Sequence, residues 1–258
     1  MTLQDIIQAL DLPPSARVDQ RVPKKLLIDN GAPTAADKRL IIDGIEDINW
    51  HAALKPTTAG VPEYRDEIRE YLEIAVLSVA LRAKAGAGRL IELIHRAIPY
   101  PLVLIEVADE GPSISLAHKR WTQNEAGKVM LDGPLIQAYL PAENSTLANA
   151  SLAALALARQ PRAHLFALYQ GWIDTLTAWQ VARLTGRFEA EASPQRAELC
   201  RQALRDCQVL ETRIVALRAQ AQREKQLARR VTLNTEMQAC RRDLDARMQI
   251  LRAKSRHE

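Results

Sequence analysis

Clusters of basic residues are the part of the sequence whose types and spacing could contact phosphate or an acidic protein surface. The densest cluster has four cations within residues 223–230, and smaller ones lie near residues 24 and 119. Arginine and lysine neutralise phosphates in nucleic-acid complexes, and an aromatic such as Trp121 beside them can stack on a base. The alternative is a solvated surface. The predicted contact residues are Arg223, Lys225, Arg229, Arg230, Lys24, Lys25, Lys119 and Arg120.

Motifs for the common catalytic chemistries are absent from the sequence. It contains no P-loop, no HExxH and no Glu-x-Lys of a restriction-type nuclease core. The five histidines have no evident carboxylate or cysteine partner in sequence, so we interpret them as structural. Cys200 and Cys207 are a heptad apart, which indicates core packing. We therefore predict no catalytic residue, no metal site and no cofactor, and a binding protein rather than an enzyme.

The charge is unevenly distributed along the chain. Residues 196–258 carry 15 Lys and Arg against 8 Asp and Glu, a net of +7, while the total is +4. A basic segment beside an acidic remainder is typical of proteins that contact nucleic acid or an acidic partner. No signal peptide and no apolar run long enough for a membrane span is visible, and three cysteines without a CxxC pair fit free thiols. We expect a cytoplasmic protein without membrane contact.

The hydrophobic pattern of residues 1–143 predicts an α+β domain with a small mixed or antiparallel sheet and packed helices. Thr34 is predicted to cap a helix whose apolar positions continue to Ile48. Other predicted helices cover residues 3–10 and 89–98. The predicted strands cover residues 50–55, 71–81, 102–107 and 113–121, with edge strands at residues 128–131 and 136–140. Helices against one face of this sheet are expected.

The pattern from residue 144 onward is helical. An alanine-rich segment at residues 144–192 contains predicted helices at 147–158 and 163–184. Both helices are rich in alanine and leucine, and four aromatic side chains between residues 166 and 179 supply bulk.

Residues 193–258 are predicted to form a basic helical hairpin or a coiled-coil-like arm. Ser193 caps a helix that begins at Pro194, and apolar residues recur at 3-4 spacing as far as Ala221. The phase is lost over residues 223–233, and Thr235 with Gln238 is predicted to form a capping box that begins a second helix. Two antiparallel helices are favoured, with one bent helix as the alternative.

Short motifs spread along nearly the whole chain resemble those of a bacterial family. These motifs are Val22-Pro23-Lys24, Ile48-Asn49-Trp50, Ala97-Ile98-Pro99-Tyr100-Pro101, Ala117-His118-Lys119-Arg120 and Arg229-Arg230-Val231-Thr232-Leu233-Asn234. In this order they resemble domain-of-unknown-function family 4391. The resemblance implies that the gene lies beside a helicase and a DNA methyltransferase in phage-defence or restriction-like clusters. It implies no established catalytic residues, and it adds Asn234 to the predicted contact residues.

The first hypothesis is an accessory, non-catalytic subunit of a bacterial DNA-targeting defence system. Its α+β body would bind a helicase or DNA methyltransferase, and its basic arm would contact that partner or DNA. The second hypothesis is a divergent metal-dependent nuclease with Asp109, Glu106 and Glu73 as its acids and Lys119 nearby. The third is a structural protein that forms a homodimer through the C-terminal helices.

Overall fold

The computed structural model describes residues 2–82, 86–108, 111–122, 129–140, 146–190 and 193–253. It confirms the α+β class, with a mixed six-stranded sheet, a two-stranded sheet and a C-terminal helical region. The chain divides into two compact units, Met1–Leu176 and Thr177–Glu258. The division into segments 1–143, 144–192 and 193–258 stays a prediction.

The secondary-structure elements are as follows. The helices are α1 (Leu3–Ala9), α2 (Lys24–Gly31), α3 (Ala35–Gly44), α4 (Pro56–Ala59), α5 (Ala87–Ala97), α6 (Thr146–Ala154), α7 (Leu165–Thr185), α8 (Pro194–Arg223) and α9 (Leu227–Arg252), with 3-10 turns at Pro14–Ala16 and Leu157–Arg159. The strands are β1 (Arg17–Arg21), β2 (Ile45–Leu54), β3 (Tyr64–Arg65), β4 (Glu70–Tyr71), β5 (Ile74–Leu81), β6 (Leu102–Val107), β7 (Ser113–Trp121) and β8 (Val129–Tyr139).

The main sheet has the strand order β1-β2-β5-β6-β7-β8. β5 and β6 are parallel and are connected through α5, whereas the other neighbouring pairs are antiparallel. β5 is central, and its residues from Ile74 to Val79 are all buried, which explains its nearly continuous apolar sequence. The mixed sheet with antiparallel neighbours agrees with the sequence prediction.

Helices α2, α3 and α5 supply apolar side chains to one core with the sheet. Leu27 of α2, Ile41 of α3 and Leu90 of α5 belong to the same buried cluster as Leu77 and Leu104 of the strands. Thr34 caps α3 as predicted, because its Oγ1 accepts a hydrogen bond from the Asp37 backbone N–H at 3.1 Å.

A buried carboxylate connects α3 to α5. Arg89 donates to both oxygens of Asp37, at 2.9 and 3.1 Å. The hydrogen bonds from Arg89, followed by that from Thr34, lower the pKa of Asp37 below its ordinary value. The bidentate pair therefore fixes the position of α5, which lies between two parallel strands.

One local prediction in the first half of the chain was wrong, and some elements there were not predicted. Ile48, predicted on the Thr34-capped helix, lies in β2, because the chain turns into the sheet after Gly44. Residues 17–21 form β1, which the sequence analysis did not predict because all but Val18 are polar or charged. Residues 24–31 form α2, which the sequence analysis did not predict either.

The unit Thr177–Glu258 contains an antiparallel helical hairpin. Cross-helix ion pairs join Arg213 to Glu236 at 3.3 Å and Arg247 to Asp206 at 2.9 Å. Buried residues at the 3-4 positions meet in one cluster formed by Val181, Cys200, Ala203, Cys207 and Leu251. Among the described residues, no helix combines the length and the hydropathy that crossing a bilayer takes.

The start of the second hairpin helix differs from the prediction. α9 begins at Leu227, so Thr235 lies inside the helix and does not cap it. The Thr235 hydroxyl donates to the backbone carbonyl of Val231 at 3.1 Å, as a threonine inside a helix often does. The capping-box pattern was misleading because the preceding turns of α9 are mostly exposed and carry two arginines, so they gave no clear apolar stripe to mark the earlier start.

Candidate functional site

The four cations of residues 223–230 surround the connection between α8 and α9 and are all exposed. We call this surface the basic turn; its residues are Arg223, Lys225, Arg229 and Arg230. Within the ranges that the structure describes, none of the four forms an ion pair. Glu224, the one acid among them, instead accepts a hydrogen bond from the Gln226 backbone N–H at 2.8 Å. The basic turn thus presents uncompensated positive charge to solvent.

The start of α9 adds to this positive field. Gln226 is the N-cap and makes no side-chain capping hydrogen bond, and the first turn of α9 contains no acidic residue. The free backbone N–H groups at a helix N-terminus carry a partial positive charge. Arg229 and Arg230 lie at this end, where arginine is unfavourable for the helix itself. An anion bound at the turn would relieve that repulsion.

A shallow depression brings two of the predicted residues together. It has a volume of about 480 Å³, and Arg223 from α8 and Arg229 from α9 both line it, with Thr232 beside them. Asn234 is exposed farther along α9. The structure therefore places the late predicted residues on one continuous part of the hairpin.

The early basic residues are less available. Lys24 donates its ammonium group to the backbone carbonyls of Ile42, at 3.0 Å, and Ile45, at the end of α3 and the start of β2. Burial lowers the pKa of Lys24 below its ordinary value. Lys24 therefore has a structural role at a helix C-terminus, where a cation is favourable. Lys25 is exposed, and its contact role stays a prediction.

The predicted contact surface near residue 119 is wrong for Lys119, which is buried. Lys119 is only 3% exposed, and its ammonium group donates to the Ile98 carbonyl. Burial lowers the pKa of Lys119 from 10.5 to about 7. Arg120 is half-buried and lies 3.7 Å from a carboxylate oxygen of Asp132. Lys119 has no surface from which to contact phosphate, and the Arg120 side chain is only about one third exposed.

A buried histidine, His95, lies near Lys119. His95 of α5 is fully buried, and its Nε2 is 3.0 Å from the Ser115 hydroxyl, whereas its Nδ1 has no hydrogen-bond partner among the described residues. Burial, and then the nearby Lys119 charge, hold the pKa of His95 well below its ordinary value. This neutral histidine supports the interpretation of His95 as structural.

The acids named for a nuclease do not lie together. Glu106 accepts hydrogen bonds from Ser113 at 2.7 Å and from Gln137 at 3.0 Å, and it is paired in register with Ser113. Lys119 lies six positions farther along β7, roughly 20 Å away at about 3.3 Å per strand residue. Glu106 and Lys119 are thus at opposite ends of the strand pair.

Glu73 is also distant from Glu106. It precedes β5 and pairs with Lys55 at 3.2 Å, whereas Glu106 is in register with Val79, six residues later. Asp109 lies outside the described residues. Across the described ranges, no three His, Cys, Asp or Glu side chains are arranged to hold a metal ion.

A cavity of about 570 Å³ was not predicted from the sequence. It is formed where the end of β1, the middle of β2, α2 and the C-terminal end of α5 meet, and we call it the Trp50 cavity. Three of the motifs quoted for the family resemblance contribute residues to its wall: Val22 and Pro23, Trp50, and Ala97 to Tyr100. The only available signal was that these aromatic and proline residues belong to motifs far apart in sequence.

Comparison with known proteins gives one match. The model of a family described as a domain of unknown function, DUF4391, matches residues 10–244. No curated protein and no solved structure matches the chain.

Proposed function

The chain belongs to the DUF4391 family, and from this premise and the basic turn we propose that it is an accessory, non-catalytic subunit of a bacterial anti-phage or restriction-like DNA-targeting system. In this role it binds a helicase or DNA methyltransferase partner, and the basic turn contacts DNA. The class of partner comes from the family resemblance, which implies that the gene lies beside those of a helicase and a DNA methyltransferase. The unpaired cations of the basic turn are the observation that carries the DNA contact.

Three properties of the basic turn support a polyanionic ligand over a merely solvated surface. Its cations have no ion-pair partners in the described structure, whereas Arg213 and Arg247 elsewhere on the hairpin do. Arg229 and Arg230 stand at the positive end of α9, where no acidic residue offsets them. Arg223 and Arg229 line one depression, where an anion would meet positive charge from both helices.

The test is binding of labelled duplex and single-stranded DNA, measured by fluorescence anisotropy over a range of salt concentrations. The double variant Arg229→Gln/Arg230→Gln removes two cations from the basic turn. If both contact phosphate, the slope of log K against log salt becomes less steep by about 1.8 for duplex DNA, since each contact contributes about 0.9. Affinity at low salt falls in parallel.

The matched control is Arg241→Gln/Arg242→Gln. These two arginines are also adjacent and exposed on α9, and they lie outside the basic turn. The control has the same net charge as the test variant, so equal losses in both would reflect net charge alone. Affinity without salt dependence, or no binding at low salt, would exclude the DNA contact and leave the protein partner as the ligand of the hairpin.

The partner half of the proposal is tested separately. The tagged chain, expressed with the genes encoded beside it, is expected to co-purify with a helicase or a DNA methyltransferase. Recovery of the chain alone under conditions in which those proteins are made and folded would contradict it.

A further inference from the structure

The Trp50 cavity has the size and the lining of a small-molecule site. Its volume of about 570 Å³ falls within the roughly 300–1,000 Å³ of ligand pockets. The floor is apolar, with Ala75 and Leu77 of β5 beneath it. The described residues that line it include two arginines, two carboxamides and a phenol, and no carboxylate, lysine or histidine. This composition favours a ligand with a flat apolar part and a negative charge.

Two aromatic side chains can hold the flat part. The Trp50 indole N–H already donates to the Ala52 carbonyl at 2.8 Å, so the ring offers the cavity a face and no donor. Tyr100 is 39% exposed and stands between Pro99 and Pro101, which restrict the backbone on both sides. The Trp50 ring, held by its hydrogen bond to Ala52, is a platform that can bind a planar ring at low entropic cost, and Tyr100 adds a second aromatic surface.

Two guanidinium groups can bind the negative charge. Arg96 at the end of α5 has a side chain that is 48% exposed, with one terminal nitrogen 2.5 Å from Glu92. The Nε of Arg21 is 2.5 Å from Asp47, and that side chain is 73% exposed. Glu92 and Asp47 offset part of this positive charge, but each guanidinium keeps nitrogens that have no partner among the described residues. Guanidinium groups are suited to bidentate contact with phosphate oxygens.

The carboxamides can recognise polar edges of the flat part. Asn30 donates its Nδ2 to the Leu26 carbonyl at 2.9 Å, which leaves the side-chain oxygen to accept a hydrogen bond. Gln20, paired in register with Trp50, also lines the cavity and offers both a donor and an acceptor. A ring with alternating donors and acceptors matches these groups better than a hydrocarbon ring does.

We propose that the Trp50 cavity binds a nucleoside phosphate, with the base against the rings of Trp50 and Tyr100 and the phosphate at Arg96 and Arg21. The ligand is either a free nucleotide or the phosphorylated end of a nucleic-acid strand, since both present the same chemistry. This inference concerns the unit Met1–Leu176 alone and does not depend on the basic turn.

The full-length chain is titrated with AMP, GMP, CMP and UMP while tryptophan fluorescence and the heat of binding are recorded. At least one mononucleotide is expected to quench the fluorescence to saturation. Trp50→Phe keeps an aromatic face, so it should retain the heat of binding while it loses the quench. Loss of the quench with an unchanged heat of binding would show that the quench comes from Trp50 and not from the other three tryptophans.

Arg96→Gln and Tyr100→Ala separate the two parts of the ligand. Arg96→Gln is expected to weaken mononucleotide binding by about 10-fold and to leave binding of the matching nucleoside unchanged. Tyr100→Ala is expected to weaken both by about 10-fold. Arg39→Gln, an exposed arginine on α3 outside the cavity lining, is the matched control and should bind as the original chain does.

Oligonucleotides with and without a 5′-phosphate identify the source of the ligand. Tighter binding of the phosphorylated strand than of the mononucleotide supports a strand end, and the reverse order supports a free nucleotide. The proposal is overturned if none of the four mononucleotides and neither oligonucleotide binds at millimolar concentration to the cavity. It is also overturned if Arg96→Gln and Tyr100→Ala, shown by circular dichroism to be folded, bind as tightly as the original chain.

Discussion

Gly31, the last residue of α2, lies directly against Ala97 at the end of α5. A Cβ at position 31 would be 2.6 Å from the Ala97 Cβ and 2.8 Å from the backbone oxygen of Leu93. Both distances are shorter than packed atoms allow, and one of the contacted atoms is backbone that cannot move by a side-chain rotation. The glycine therefore permits the close approach of α2 and α5, and both helices contribute residues to the Trp50 cavity.

Replacement of Gly31 by alanine is expected to lower the free energy of unfolding by about 1–3 kcal/mol, because α2 and α5 must move apart. Denaturation by urea measures the change. Gly88→Ala in α5 is the control, since a Cβ there meets nothing within 4 Å. Alanine in a helix should leave stability unchanged or raise it by roughly 0.5–1 kcal/mol. Equal effects of the two variants would show that α2 and α5 do not need this close contact.

Lys119 makes stability depend on pH in the alkaline range. Its pKa is about 7 in the folded protein against 10.5 ordinarily, so between these values the unfolded chain binds more protons at this residue. Stability must then rise with pH across this window, and the full cost of burying the ammonium group is present below pH 7. The effect should amount to a few kcal/mol, on the order of 1.4 kcal/mol per pKa unit.

The Lys119→Met variant tests this dependence. Methionine fills a similar volume without a titrating group, so the free energy of unfolding of the variant should change less between pH 7 and 10 than that of the original chain. Urea denaturation at several pH values measures both curves. Parallel curves would mean that Lys119 stays charged in the folded protein or that the ammonium group is hydrated.

Arg196 ties the first turn of α8 to the last turn of α9. Its terminal nitrogen donates to the carbonyls of Ile250 and Ala253, both at 2.7 Å, at the helix C-terminus, where backbone carbonyls lack part of their helical hydrogen bonding. Arg196→Met should speed amide hydrogen exchange in the last turn of α9 and reduce stability by about 1–2 kcal/mol. Arg218→Met, at an exposed position of α8, should change neither. Unaltered exchange in Arg196→Met would show that the end of α9 is held by apolar packing instead.

Local patterns predicted the elements whose residues interact mainly with near neighbours. Thr34 and Ser193 cap α3 and α8 as their positions indicated, because capping is decided within one helical turn. β6 and α5 agree with prediction because their apolar spacing matches a single period. Thr235 shows the limit of this approach, since the same local pattern occurs inside a helix that had already begun at Leu227.

The amino-acid sequence alone determined the α+β class, the helical C-terminal region and the concentration of positive charge near residue 230. These properties depend on composition and on short-range periodicity. The tertiary structure decided that Lys119 is buried while Arg229 is exposed, although both lie in basic clusters. It also decided that Trp50, Arg96 and Tyr100 line one cavity, because strand order and helix packing join residues that are distant in sequence. Burial and convergence depend on such long-range contacts, which no local pattern encodes.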